Sequence, residues 1–382
     1  MKRRLAILGA TGSIGTAALD VVRANAGDFD VVLLSANRGA TALERLGTEF
    51  PRAVLVLGAE GPDPASRVKR RGREALLAAI GEAGAGITVN GIAGAAGLLP
   101  SLAVLRSGSS LALANKETVV LAYPLVKALA EERGIPVIPV DSEHAAVFRL
   151  LEAHGRDGVR EIILTASGGP FRRHSLRQLE TVGVQDALAH PTWNMGPKIT
   201  VDSATMANKG LEVIEAVRLF GVKPEQVKVV IHPQSVVHSL IRLTDGALYA
   251  QLSRPDMRLP IHEALYWPET RSSPFGKLDF ESLTLEFKKP DFERFPMLGL
   301  AYEAAEKGGL YPCVYNAANE AAVASFLSGD SGFLDIPRIV GYVLNRDWNG
   351  EVSALAPVLK ADGEARILAE EFIRKEKQAC FS

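Results

Sequence analysis

The chain has 382 residues, which at about 150 residues per domain gives two to three domains and room for a sizeable core. Apolar residues make up 47% and charged residues 23%, a balance that excludes disorder, collagen and coiled coil. With 43 Lys+Arg against 44 Asp+Glu, the formal net charge of -1 removes the bulk electrostatic drive toward nucleic acid or an anionic membrane, so neither is expected as a partner. Two cysteines, Cys313 and Cys380, cannot staple a chain of this size and fit a reducing compartment, which makes the cytoplasm the expected location. Met1-Lys2-Arg3-Arg4 imitates the start of a secretory signal, but the apolar run behind it stops at Gly9. No run approaches the roughly 18 apolar residues that a bilayer requires.

The first 140 residues alternate short apolar runs with amphipathic stretches, the pattern of βαβ units around a parallel sheet. Strands are predicted at 5–8, 31–34, 54–57, 87–89, 110–114 and 137–140, and helices at 16–25, 41–49, 73–83 and 121–133. Residues 141–266 keep strand-like runs at 161–164 and 227–231 but add long polar and glycine-bearing turns, as a site-bearing domain would. From 267 to 290 the periodicity fades into Pro, Ser and charged residues, which reads as a linker. Beyond it, 296–307, 316–327, 336–344 and 361–375 are helix-like and suggest a small bundle.

Directly after the first strand comes Gly9-Ala10-Thr11-Gly12-Ser13-Ile14-Gly15, then a helix. Glycines at a strand-to-helix turn let a pyrophosphate approach the free N–H groups of the helix N-terminus. Three glycines in a turn also serve plain backbone geometry; the strand before and the helix after favour the nucleotide reading. The second strand ends in Ser35-Ala36-Asn37-Arg38, with no carboxylate to hold ribose hydroxyls and with an arginine suited to a 2'-phosphate. NADP(H) is therefore expected over NAD(H), although Arg38 by itself better fits a solvated loop cation. Tyr123 and Lys127 match the Tyr-x-x-x-Lys pair of short-chain dehydrogenases, with Ser110 upstream, and offer an alternative NADP-dependent dehydrogenase or epimerase. That reading leaves more than half of the chain without a role.

Asp141-Ser142-Glu143 follows the strand ending at Val140. On an extended segment, carboxylates at i and i+2 point the same way and call for a hard divalent cation between them; a solvated acidic turn fits the same residues. A third carboxylate is available in Ser203-Ala204-Thr205-Met206-Ala207-Asn208-Lys209-Gly210-Leu211-Glu212, where a helix puts Asn208 and Glu212 on one face. There Asp202 and Ser203 also fit helix caps, and Glu212 also fits a surface position. Gly210 inside a helix costs about 1 kcal/mol unless something approaches closely, and a phosphate is the expected visitor. Thr165-Ala166-Ser167-Gly168-Gly169-Pro170-Phe171 can form a backbone nest for an anion. His190-Pro191-Thr192-Trp193-Asn194-Met195-Gly196 reads as a loop able to close over a ligand, and Lys116 in Asn115-Lys116-Glu117 stands at another strand end. His232, His238 and His262 read as structural.

In this order, and together with Ile231-His232-Pro233-Gln234-Ser235 and Asn316-Ala317-Ala318-Asn319-Glu320-Ala321-Ala322, these segments resemble the 1-deoxy-D-xylulose 5-phosphate reductoisomerase family across essentially the whole chain. The resemblance implies an α/β fold with an N-terminal Rossmann-type parallel sheet (1–141), a central catalytic α/β domain (142–266), a linker (267–290) and a C-terminal helical bundle (291–382). It implies that Asp141, Glu143 and Glu212 hold Mg2+, Mn2+ or Co2+. Ser167, Ser203, Asn208 and Lys209 would hold the substrate phosphate, while Ser142, Lys116 and His190 contact the rest of the substrate. Trp193 and Met195 would belong to a closing flap. Gly9, Thr11, Gly12, Ser13, Ile14, Ala36, Asn37, Arg38, Asn115 and Glu117 would contact NADPH. The implied reaction is a retro-aldol and aldol rearrangement assisted by the metal and by Lys116, then hydride transfer, giving 2-C-methyl-D-erythritol 4-phosphate, in a homodimer. Ala166 departs from a position often held by glycine, and the Asn37-Arg38 turn varies in the family.

Overall fold

The computed structural model describes residues 2–61, 66–193 and 195–380, so Asn194 of the 190–196 loop lies outside the described residues, as does the side chain of Cys380. Two compact units share the chain: Met1–Thr118, Val126–Ala145 and Asp256–Lys277 form one, and Val119–Leu125, Ala146–Pro255 and Leu278–Ser382 the other. Among the described residues no helix is long and apolar enough to cross a membrane.

The first unit is built on seven parallel strands: β1 (Arg3–Leu8), β2 (Phe29–Ala36), β3 (Val54–Leu57), β4 (Arg70–Arg71), β5 (Ile87–Asn90), β6 (Ser110–Leu113) and β7 (Val137–Pro139), in the order β4-β3-β2-β1-β5-β6-β7. Sandwiched between helices, such strands are buried on both faces and read as continuous apolar runs, which is why six of the seven were legible. β4 is only two arginines long. The helix Leu98–Arg106 escaped because it is apolar on nearly every side and carries Pro100, leaving no polar stripe to reveal a helical period. Strand order reverses at β1, whose neighbours are β2 and β5, so a crevice opens at the ends of these strands. The helix Arg258–Tyr266 joins this unit, with Ile261, Ala264 and Leu265 in its core.

The second unit holds β8 (Val159–Ala166), β9 (Val227–Ile231), β10 (Val237–Leu243) and β11 (Leu248–Leu252), in the order β11-β10-β8-β9. β8 and β9 are parallel, while β10 runs antiparallel to β8 and β11. Residues 267–290 contain no helix, and near their end Lys288 exchanges backbone hydrogen bonds with Ile231 at 2.8 and 2.9 Å. The C-terminal helices Pro296–Lys307, Tyr311–Leu327, Asp335–Leu344 and Leu355–Cys380 pack on one another as the expected bundle.

The helix that begins at Lys116 extends to Arg133 and is broken at Ala122 (φ −147°, ψ 33°), two residues before Pro124. Pro124 has no N–H to give the carbonyl of Val120, its partner one turn back. Arg218 fills the gap: Nη1 donates to Val119 O at 2.9 Å and Val120 O at 2.7 Å, and Nη2 donates to Gly309 O at 3.2 Å. Burial lowers this guanidinium to about 10, yet it remains charged at neutral pH. Arg218→Met is therefore expected to lower unfolding free energy by about 2 kcal/mol or more, measured by urea denaturation. An unchanged midpoint would show that the kink supports itself.

Candidate active site

At the end of β1 the chain turns sharply on Gly9 (φ +79°) into the helix Ser13–Ala24. A Cβ on Gly9 would lie 2.8 Å from Gly91 O, beyond β5, and one on Gly15 would lie 2.3 Å from Gly9 O, so both positions admit only glycine. The helix has no side-chain cap and no acidic residue in its first turn. Its free N–H groups, with Thr11, Gly12 and Ser13 exposed beside them and Ile14 half-buried, are open to an anion. At the end of β2, Ala36 is buried while Asn37 and Arg38 are exposed, and no carboxylate occupies this turn. Asn115 is committed to the protein: its Oδ1 accepts from Thr118 N at 2.9 Å, and its Nδ2 lies within 2.9 Å of Ile92 O, Gly94 O and Glu117 Oε2.

The Asp141-Ser142-Glu143 segment is not extended as expected. Ser142 opens the helix Ser142–His154, Ala145 N donates to Asp141 O at 2.8 Å and Glu143 N to Asp141 Oδ1 at 3.3 Å. Asp141 is thus the residue from which the helix starts, and its favourable position at a helix N-terminus replaces the side-by-side strand geometry. Lys116, 5% exposed, puts Nζ 3.0 Å from Asp141 Oδ2. Ser142 Oγ donates to Glu143 Oε2 at 2.6 Å. His144, which has no role in the sequence reading, is fully buried with Nδ1 3.3 Å from Asp141 Oδ1. Its only sequence signal is the Asp-x-x-His spacing on a helix.

In the second unit the 203–212 segment is two helices, Pro197–Ala204 and Ala207–Phe220, broken at Met206 (φ +64°). Neither Asp202 nor Ser203 is a cap, since both lie inside the first helix. In the second, the i, i+4 expectation holds: Asn208 Nδ2 donates to Glu212 Oε1 at 2.6 Å, and Lys209 Nζ donates to Glu212 Oε2. Lys209 and Glu212 are 4% and 1% exposed, so neither is a solvated surface charge. Gly210 faces neighbouring helices. A Cβ there would lie 2.7 Å from both Ala301 Cβ and Tyr315 Oη, so the glycine serves close helix packing.

Ser167 follows β8, and Gly169 lets its turn close on the backbone beside Ser203, since a Cβ at Gly169 would lie 2.7 Å from Ser203 O. His190 joins the two serines: Nε2 lies 3.1 Å from both Ser167 Oγ and Ser203 Oγ. Its Nδ1 accepts the backbone N–H groups of Thr192 (3.1 Å) and Trp193 (2.9 Å), which assigns the ring proton to Nε2. Trp193 and Met195 are half-buried in this loop. His232 and His238 bond to the protein, through Glu286 O at 2.9 Å and Ser253 Oγ at 2.9 Å respectively. Lys127, 58% exposed, pairs with Glu131.

Strand order and glycine turn place the chain among Rossmann-type α/β proteins. Comparison with known proteins narrows this. A family model described as 1-deoxy-D-xylulose 5-phosphate reductoisomerase matches residues 5–123, and models of its C-terminal domains match 137–220 and 252–368. The enzyme of that name from Pelodictyon phaeoclathratiforme is 46% identical over 97% of this chain and 100% of its own, and that of Treponema denticola 44% identical over 96% of each. Among solved structures, the Zymomonas mobilis reductoisomerase in complex with NADPH is 43% identical, with a TM-score of 0.88 over 98% of this chain and 99% of that one. A reductoisomerase in complex with NADPH, fosmidomycin and magnesium is 37% identical, with a TM-score of 0.90 and the same coverage. The chain belongs to the 1-deoxy-D-xylulose 5-phosphate reductoisomerase family.

The surroundings of His190 favour its neutral form. Burial, with repulsion from Arg172, lowers its pKa below the ordinary imidazole value. A folded-state pKa below the unfolded one means that the neutral form is native; stability falls as pH drops through the unfolded value near about 6.5, where the unfolded chain takes up the proton first. NMR of 15N-labelled imidazoles should find His190 neutral at neutral pH, with the proton on Nε2 and a midpoint below that of free histidine. A midpoint at or above the free value would contradict the hydrogen-bond assignment.

Proposed function

We propose that this chain uses NADPH and a divalent metal to rearrange and reduce 1-deoxy-D-xylulose 5-phosphate to 2-C-methyl-D-erythritol 4-phosphate, a step of isoprenoid precursor biosynthesis. The observation that carries the reading is Glu212, a buried carboxylate held by Asn208 and Lys209, which puts a hard cation ligand and two anion hooks on one helix. Asp141, Glu143 and Glu212 would hold Mg2+, Mn2+ or Co2+. Their all-oxygen donor set suits such ions, and buried lysines already balance Asp141 and Glu212. Such an ion supplies Lewis acidity to substrate oxygens when bound.

The chain's own groups divide the remaining work. Thr11, Gly12, Ser13 and Ile14 offer backbone N–H groups and hydroxyls to the pyrophosphate of NADPH, whose 2'-phosphate falls to Ala36, Asn37 and Arg38. Asn115 and Glu117 would serve NADPH by shaping the turn that follows β6, consistent with their hydrogen bond to each other. Ser167, Ser203, Asn208 and Lys209 hold the substrate phosphate. The contacts of His190 support adding it to this set rather than to the sugar backbone, because a neutral Nε2–H between two serine hydroxyls is a donor for a phosphate oxygen. Ser142 orients the sugar, and Lys116 stabilises negative charge developing on substrate oxygens. Trp193 and Met195 close over the substrate and exclude water. NADP is preferred to NAD because the β2 turn offers Arg38 and no carboxylate. A cytoplasmic homodimer completes the proposal; β11 lies at a sheet edge, with Leu248 and Tyr249 exposed.

NADPH oxidation with 1-deoxy-D-xylulose 5-phosphate tests the reading. Turnover should require Mg2+ or Mn2+ and cease with chelator. Glu212→Gln should lose about a hundredfold or more in kcat while NADPH binding survives, and Tyr123→Phe should remain active. Chelator-insensitive turnover would overturn the metal assignment, and loss of activity in Tyr123→Phe alone would favour the dehydrogenase alternative.

A further inference from the structure

The Asn316-Ala317-Ala318-Asn319-Glu320 motif has no role in the scheme above, yet it puts two asparagines and a glutamate into the apolar, buried helix Tyr311–Leu327. A polar side chain taken out of water is costly unless hydrogen-bonded. Asn319 is fully buried, and its Nδ2 donates to Asp202 Oδ1 at 2.9 Å across 117 residues of sequence. Asp202, 1% exposed, immediately precedes Ser203 and also pairs with Lys198 at 2.8 Å, one turn earlier on the same helix. That helix follows the 190–196 loop directly. Asn319, Asp202 and Lys198 therefore pin the segment that presents Ser203.

One turn before Asn319, on the same face, stands Tyr315. It is fully buried, donates to Met297 O at 3.1 Å and occupies the space that a side chain on Gly210 would need. Gly210 adjoins Lys209 and lies two residues before Glu212. Tyr315 and Asn319, at i and i+4, thus touch both helices that carry the phosphate-holding side chains. The helix is itself anchored: Arg366 binds Glu320 at 2.7 Å and Asp362 at 2.8 Å. Burial would raise the Glu320 carboxyl, but Lys198, Arg366 and Asn316 outweigh it and hold it below the ordinary range.

We propose that Asn319 is a positioning residue for the substrate phosphate, orienting Ser203 through Asp202, with Tyr315 setting the seat of the Lys209 helix. The inference rests on the assignment of Ser203 and Lys209 to phosphate. Bulk packing would ask only for an apolar side chain of the right volume at 319, whereas positioning asks for the amide.

Steady-state kinetics of the full chain with Mg2+, NADPH and 1-deoxy-D-xylulose 5-phosphate test this. Asn319→Leu, which keeps the branched outline and heavy-atom count but removes the amide, should raise KM for the sugar phosphate about tenfold or more, with a much smaller change in kcat and an unchanged Kd for NADPH. Asn319→Asp puts a second carboxylate against Asp202 amid Lys198, Glu320, Arg366 and the Tyr315 hydroxyl. The pair must then share a proton, and the KM defect should grow as pH rises. Exchanging both partners, Asp202→Asn with Asn319→Asp, restores one carboxylate facing one amide and should recover much of the KM. Should Asn319→Leu not fold, the pH dependence of Asn319→Asp decides. A wild-type KM in Asn319→Leu, a raised KM matched by equal losses of kcat and NADPH affinity, or a pH-independent defect in Asn319→Asp would overturn the proposal. Ser203→Ala separates the two levels. A normal KM there refutes the phosphate assignment itself, whereas a raised KM there with a normal one in Asn319→Leu refutes only the positioning role.

Discussion

A carboxylate withdrawn from water needs a counter-charge or a set of hydrogen bonds, and this protein meets that requirement in the same manner in each of its two units. Asp141 is met by Lys116 and Glu212 by Lys209, and both lysines are themselves buried. Buried pairs of this type are weak evidence for stability, because the desolvation they demand offsets much of their attraction. Their placement points to function: each holds a carboxylate oxygen in a fixed position, with a cation at hand for an anionic ligand. Most of the local architecture serves to make these pairs possible. Lys116 opens a helix nucleated by Asn115, Asp141 starts another, and Lys209 and Glu212 lie one turn apart on a third.

The side of the site proposed to hold phosphate follows a complementary rule, with hydroxyl and imidazole donors grouped together. Ser167 and Ser203 are joined by a neutral His190 whose ring proton faces them, because backbone N–H groups already occupy Nδ1. At the nucleotide end, the N-terminus of Ser13–Ala24 is left uncapped and free of acidic residues, so its partial positive charge remains available. A net charge near zero is therefore compatible with two anion sites, since backbone dipoles, hydroxyls and lysines paired to carboxylates supply the field.

Much of this was legible in the sequence. Most strands of the parallel sheet stand out as short apolar runs, and Gly9, Gly12 and Gly15 mark the nucleotide turn directly. What escaped did so for physical reasons. β10 is buried along most of its length and includes His238 and Ser239, whose polarity masks the strand until their hydrogen bonds are seen. Asp141-Ser142-Glu143 looked extended because it follows a strand, but a carboxylate preceding a run of helix formers nucleates a helix. The break at Met206 has no glycine or proline to announce it. Asn319 was visible only as part of a motif, because its contact with Asp202 is set by tertiary packing rather than by any local period.

The central claim, that carboxylates balanced by buried lysines form the binding place of a divalent ion, is tested most directly by titrating Mn2+ into the chain and following the free ion by electron paramagnetic resonance. One ion per chain should bind to the wild type, and Asp141→Asn should abolish stoichiometric binding while the protein stays folded. Undiminished Mn2+ binding by Asp141→Asn would contradict the account.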